Sequence, residues 1–152
     1  MRDDARLLVD ELIRLHGEKR SLLDVMLLSE SDKCFYAESG NMDRVEEALS
    51  EDEQIIARIN EIDCDIAESE RRLALLAGVP VNRLYRRLSN HAPVLLELRR
   101  DLRSRLAAVI AKRDELTKRI RLSLDKTARA ADELHRQDRL HRALKGHHIT
   151  RA

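Results

Sequence analysis

From Val45 to Leu76 the chain places a residue on one line every three or four positions: Val45, Ala48, Asp52, Ile55, Ile59, Ile62, Ile66, Ser69, Leu73 and Leu76. Only Asp52 and Ser69 break its apolar character. Steps of three and four return a side chain to the same face of an α-helix, whereas a strand needs steps of two. A pattern kept for more than four heptads predicts one long amphipathic helix with a left-handed coiled-coil seam. A helix of that length must bury its stripe against another helix. The composition says what that core is made of. Aromatic residues are 2% of the chain, Trp is absent, and charged residues are 38%. That is close to the profile of coiled coils and long helices, with a core of Leu, Ile, Val and Ala.

The stretch before the seam repeats the pattern less cleanly. Leu8, Leu12, Leu15, Leu22, Met26 and Tyr36 follow the same frame, and Lys19, Ser29 and Lys33 interrupt it. Leu23, Leu27, Leu28 and Phe35 widen the stripe, and Phe35 is expected in the core. Between the two helical stretches stands Gly40-Asn41. Glycine suits the left-handed residue that ends a helix. Asparagine caps the next helix, whose dipole favours Asp43, Glu46 and Glu47 near its start. So short a link folds the helices back antiparallel into a hairpin about 55 Å long. Gly17, inside the first helix, is expected to be tolerated or to mark a close helix approach.

Gly78-Val79-Pro80 ends the second helix in the same way. Residues 81–92 read as a short helical connector with Leu84 and Leu88 on one face. Pro93 fits the first position of a further long helix. The expected architecture is therefore all-α and a single domain. It has helices at about 3–39 and 41–77, a connector at 78–92, a helix at about 93–137 and a frayed tail at 138–152. The third long helix returns along the hairpin to give an elongated three-helix bundle.

Charge is unevenly spread. Residues 1–39 carry 6 basic and 9 acidic side chains, net −3; residues 40–80 carry 4 and 11, net −7; residues 81–152 carry 19 and 8, net +11. One reading is that acidic hairpin and basic third helix neutralise each other by packing. The other is a basic surface for nucleic acid. Acids are interspersed among the bases and no aromatic follows Tyr85 to stack on a nucleobase, which disfavours nucleic acid. Cys34 and Cys64 fall several turns apart in an antiparallel hairpin, too far for a disulfide. Free thiols fit a reducing cytoplasm. No segment reads as a signal peptide or a membrane span, so no membrane insertion is expected.

Chemistry-bearing motifs are scarce. There is no Gly-rich phosphate loop, no GxSxG, no HExxH and no CxxC. His135 and His141 are six positions apart and so off-face on a helix, and His147-His148 falls in the expected tail. No catalytic residue, metal site, cofactor or small-molecule substrate is expected. The features left are those of a binding protein. The C-terminal stretch mixes Leu and Ala along one face, and Leu116, Ile120, Leu124, Ala128, Ala131 and Leu134 are the expected partner-facing residues. Such a face suits helix-in-groove recognition. Tyr36 and Tyr85 are further interface candidates, because tyrosine tolerates half-burial at contacts.

Residues 37–79, AESGNMDRVEEALSEDEQIIARINEIDCDIAESERRLALLAGV, resemble the FlgN-type flagellar export chaperones. The resemblance lies in the small turn Ala37–Met42, in Glu53, Ile55, Ile56, Ile59, Ile62 and Asp63 along the second helix, and in the close from Leu75 to Gly78. The preceding LLVDELIRLHGEKRSLLDVMLLSE is similar to that family's first helix. The chain departs from the family in lacking the Asn residues its members carry on the last long helix. The resemblance implies a non-enzymatic cytoplasmic bacterial protein. Such a chaperone binds hook-associated flagellar subunits, shields their terminal helices, and delivers them to the export gate and ATPase of the flagellar type III apparatus. The alternative from the residues themselves is a structural coiled-coil module whose seam at 45–76 pairs with a second copy.

Overall fold

The structure is a computed structural model that describes residues 2–122 and 128–151, with side chains described for 2–122 and 132–146. It is all-α. The elements are α1 (Asp3–Glu38), α2 (Met42–Ala77), a 3₁₀ turn (Val81–Arg83), α3 (Leu84–Leu88), α4 (Pro93–Leu122) and α5 (Ala128–Arg151).

Both glycine turns form as their chemistry dictates. Gly40 and Gly78 have φ of 72° and 67°. After each, the next backbone N–H reaches back to the last helical turn: Asn41 to the Tyr36 carbonyl (2.8 Å) and Val79 to that of Ala74 (3.1 Å). This is the bond that closes a helix through a left-handed residue. The Asn41 side chain then accepts from the Arg44 N–H, capping α2. Gly17 is different. A Cβ built there meets nothing within 4 Å, so no helix approaches it closely.

Cross-helix ion pairs set the directions. Lys19 meets Asp63 and Lys33 meets Asp52, so numbers rise on α1 as they fall on α2, and the two are antiparallel. Arg20–Asp101, Asp24–Arg105, Glu30–Arg113 and Glu38–Arg119 keep a nearly constant offset, so α1 and α4 run parallel. The basic second half is thus matched to the acidic hairpin by packing.

The C-terminal region differs from the sequence expectation. The last long helix does not run through to 137. The described part of α4 reaches Leu122, and α5 folds back so that Gln137 lies against Arg113. Residues 138–151, expected to fray, continue α5 as helix, and Leu140 and Leu144 are buried. Arg136 of α5 binds Glu53 of α2 through Nε at 2.7 Å and also contacts Ser50. The three-helix arrangement therefore holds for only part of the length. Near the Gly40 turn, α1, α2, α4 and α5 together enclose one core, with Met26, Leu49, Val109, Leu116, Ile120 and Leu144 among its members. At the other end α1, α2 and α4 enclose a second core, and the short connector completes it with Leu84 and Leu88.

Candidate functional site

The site is best built from the register of α1. Its buried line runs Leu8, Leu12, Leu15, Lys19, Leu23, Met26, Glu30, Lys33 and Ala37. The steps 15–19–23 are both four, where a strict heptad alternates three and four. This shifts the inner face one residue beyond the expected Leu22, Ser29 and Tyr36. Leu28 and Phe35 each precede an inner residue by two positions, about 200° around the helix. They face outward as a result. Leu28 is 79% exposed, Phe35 62%, and Val25 54%. The expectation of Phe35 in the core is thereby corrected.

Phe35 also forms one wall of an open groove between α1 and α4, with Ser31, Cys34 and Glu38 on one side and Lys112, Glu115 and Arg119 on the other. Its volume is about 180 Å³. Small-molecule pockets usually run from roughly 300 to 1,000 Å³. The groove is sized for a large side chain of a partner rather than for a metabolite. Its polar rim is held by Arg119, which pairs with both Glu38 and Glu115, and by Lys112 beside Glu115 at 3.7 Å. Cys34 lies buried beneath it, and burial pushes its thiol above the ordinary value. Both cysteines are free.

Behind this face lies a buried ionic layer that ties all four helices together. Lys33 Nζ donates to Glu30 Oε1 at 2.6 Å and also contacts Asp52. The Arg113 guanidinium lies 3.0 Å from Glu30, contacts Asp52, and donates to Gln137 Oε1 at 2.7 Å. Gln137 in turn donates to the Arg113 carbonyl at 3.2 Å. All five side chains are buried. Two cations face two carboxylates, so the layer is neutral as a whole. Burial, reinforced by the Arg113 charge, pushes the Lys33 ammonium down to about 8, with Glu30 opposing. Burial also lowers Arg113, again against Glu30. Asp52 and Lys33 are each one of the polar breaks in the two sequence patterns, and the structure brings them together.

A second polar cluster lies in the other core. Lys19 and Asp63 pair at 2.8 Å, both buried. Buried His16 has Nδ1 2.7 Å from the Leu12 carbonyl, and its ring stands edge-on to Tyr85 at 6.4 Å. The Arg99 guanidinium sits 3.5 Å above the Tyr85 ring. Burial lowers His16 to about 4, with Arg99 and Lys19 adding to the effect.

The expected partner-facing residues separate. Leu116 and Ile120 are fully buried in the first core, and Leu134 packs partly buried against it. They are turned toward the protein's own helices, with Leu140 and Leu144 of α5 in the same cluster. Leu124 and the side chains of Ala128 and Ala131 lie outside the described residues. Tyr36 is half-buried against the first core with Phe35 edge-on at 6.0 Å, and Tyr85 is engaged as described. His141 Nε2 lies 2.6 Å from Asp114. Among the described residues no group of three or more His, Cys, Asp or Glu is placed to hold a metal ion. What sequence reasoning missed is the outward stripe of α1. Lys19, Met26 and Lys33 stand on the expected and the observed line alike, so the spacing gave no sign of the shift to Leu23, Glu30 and Ala37.

Among the described residues, the fold and this face define a helical bundle with exposed apolar side chains along α1. No protein family, curated protein or solved structure was found to match the chain.

Proposed function

We propose that this protein is a non-catalytic binding protein that captures an amphipathic helix of a partner on the outward face of α1. The observation that carries the proposal is that Val25, Leu28 and Phe35 of α1 stay exposed, with Phe35 walling a groove between α1 and α4, while Leu8, Leu12, Leu15, Leu23 and Met26 of the same helix are buried in its cores. Exposed apolar side chains bordering a groove, rimmed by polar residues such as Asp32 and Glu38, suit an interaction surface. A partner helix with apolar residues at i, i+3 and i+7 covers it, and one side chain enters the groove beside Phe35.

The resemblance of residues 37–79 to FlgN-type chaperones supplies the particular reading. In it the captured helix belongs to a hook-associated flagellar subunit, held in the bacterial cytoplasm and passed to the export gate and its ATPase. Ordering of the captured helix takes back roughly 2–5 kcal/mol of the contact energy. That keeps the affinity modest, as suits a client that must be released. The coiled-coil dimer through the α2 seam has less support, since Val45, Ile59, Ile62, Ile66 and Leu73 are all buried within the chain.

Affinity capture tests the reading. Full-length protein used as bait in a flagellated bacterium's lysate should retain a hook-associated subunit. Bait carrying Leu28→Asp and Phe35→Asp should not, although its circular dichroism is unchanged. Retention of the subunit by that variant places the binding face elsewhere, and retention of no flagellar subunit by either bait removes the chaperone reading.

A further inference from the structure

The opposite end of the bundle, where α2 closes, the connector turns and α4 begins, has a different character. Between Glu70 and Glu97 the chain carries no acidic residue and five arginines: Arg71, Arg72, Arg83, Arg86 and Arg87. Leu84 and Leu88 point into the second core, so Arg83, Arg86 and Arg87, spaced three and four apart, stand exposed on the outer side of the connector. Arg71 is held by Glu68 at 2.7 Å, and Arg72 is exposed beside it. The acids brought to this end by α1, Asp3 and Asp4, are flanked by Arg2 and Arg6, so that turn adds no net negative charge. Glu97, one turn into α4, is exposed.

Large aliphatic side chains are exposed in the same region. Leu75 is 71% exposed, and Leu76, Val81 and Val94 are also open to solvent. Leu75 and Leu76 follow Arg72 by three and four residues, so cationic and apolar groups share one arc of α2. This mixture selects among anionic partners. A nucleic acid would use the arginines but gives Leu75 and Val94 nothing to enter, and the one aromatic here, Tyr85, is half-buried under Arg99. An anionic bilayer surface uses both. Guanidinium groups meet lipid phosphates while short aliphatic chains enter the boundary between headgroups and acyl chains.

We propose that this end of the bundle docks on the surface of an anionic lipid bilayer, with Arg83, Arg86 and Arg87 on the phosphates and Leu75, Leu76 and Val94 in the headgroup layer. The contact is interfacial, and no described helix is long and apolar enough to cross a membrane. It uses the end of the molecule remote from Phe35 and stands independently of the helix-capture reading.

Cosedimentation with vesicles tests it. The full chain should bind vesicles of equal parts phosphatidylcholine and phosphatidylglycerol and leave pure phosphatidylcholine vesicles in the supernatant. Each basic residue near such a surface contributes about fivefold to partitioning, so Arg83→Glu, Arg86→Glu and Arg87→Glu together should weaken binding at least about a hundredfold. The corresponding triple change to Lys should keep most of it, which separates loss of charge from loss of fold. Leu75→Ser with Val94→Ser, both at exposed positions, should weaken binding severalfold with an unchanged thermal melt. Absence of binding to the anionic vesicles overturns the proposal. So does binding that survives the three Glu substitutions or the two Ser substitutions. Arginine-dependent retention on an acidic peptide without vesicle binding overturns it in favour of a protein partner.

Discussion

Asp52 shows how one polar residue can govern a core. It sits on the α2 seam, where an apolar residue would pack as well, and it faces Lys33 and Arg113 at once. A buried ion pair of this kind adds little net stability over a hydrophobic substitute, but removing one partner leaves a charge stranded. Asp52→Ala should therefore destabilise the protein by about 3–5 kcal/mol in chemical denaturation. A loss under 1 kcal/mol would mean that water reaches the layer. His16 gives a second residue-scale test. Its folded pKa of about 4 lies below the ordinary 6.5 because burial disfavours the cation. Between those values the unfolded chain binds the proton and the folded chain does not. The stability that neutral His16 contributes is thus complete above pH 6.5 and lost as pH falls toward 4, about 3 kcal/mol in all. Unfolding free energies measured from pH 7 to pH 4 should fall more steeply for the native protein than for His16→Gln.

At the scale of elements, turn chemistry was legible and the final helix break was not. Gly40-Asn41 and Gly78 announce their turns because φ near +70° excludes other residues at little cost only to glycine. Gly78→Ala should cost about 1–2 kcal/mol, the strain of a Cβ in the left-handed region. Gly17→Ala should do the reverse. That glycine sits within a helix with open space at its Cβ, and the change should stabilise by about 1 kcal/mol. Thermal melts of the two variants should move in opposite directions. No Gly or Pro stands between Pro93 and Gly146, so nothing local marks where α4 gives way to α5. The return of α5 rests on tertiary partners instead: Gln137 on Arg113, Arg136 on Glu53, and Leu144 in the first core. Leu144→Ala should then cost about 2–5 kcal/mol, as for a packed core leucine. A frayed tail would show no change.

Across the whole molecule the charge asymmetry resolves into architecture. Arg105 reaches Asp24 at 2.5 Å, Arg119 reaches Glu38 and Arg136 reaches Glu53, each joining the basic half of the chain to the acidic hairpin. Packing therefore consumes much of the apparent nucleic-acid footprint, and the arginines of the connector end stand apart from these pairs. The candidate binding face could not be read from periodicity alone. Its position depends on a one-residue shift of the inner line of α1 to Leu23, Glu30 and Ala37, and the buried Glu30 has its partners in Lys33 and in Arg113 of another helix. Of the C-terminal residues that looked like a partner groove, Leu116 and Ile120 are buried in the core that also holds Leu140 and Leu144 of α5, and Leu134 packs against it.

Capture of a partner helix by the exposed side chains of α1 can be measured with purified components. Isothermal titration of a purified hook-associated subunit into the full chain, and into the Leu28→Asp, Phe35→Asp variant, measures it directly. Binding by the native chain, weakened at least about tenfold in the variant with its unfolding midpoint unchanged, is the predicted result, since roughly 1.4 kcal/mol of apolar contact is enough for that factor. Equal affinity for both chains, or no heat of binding to either, would contradict it.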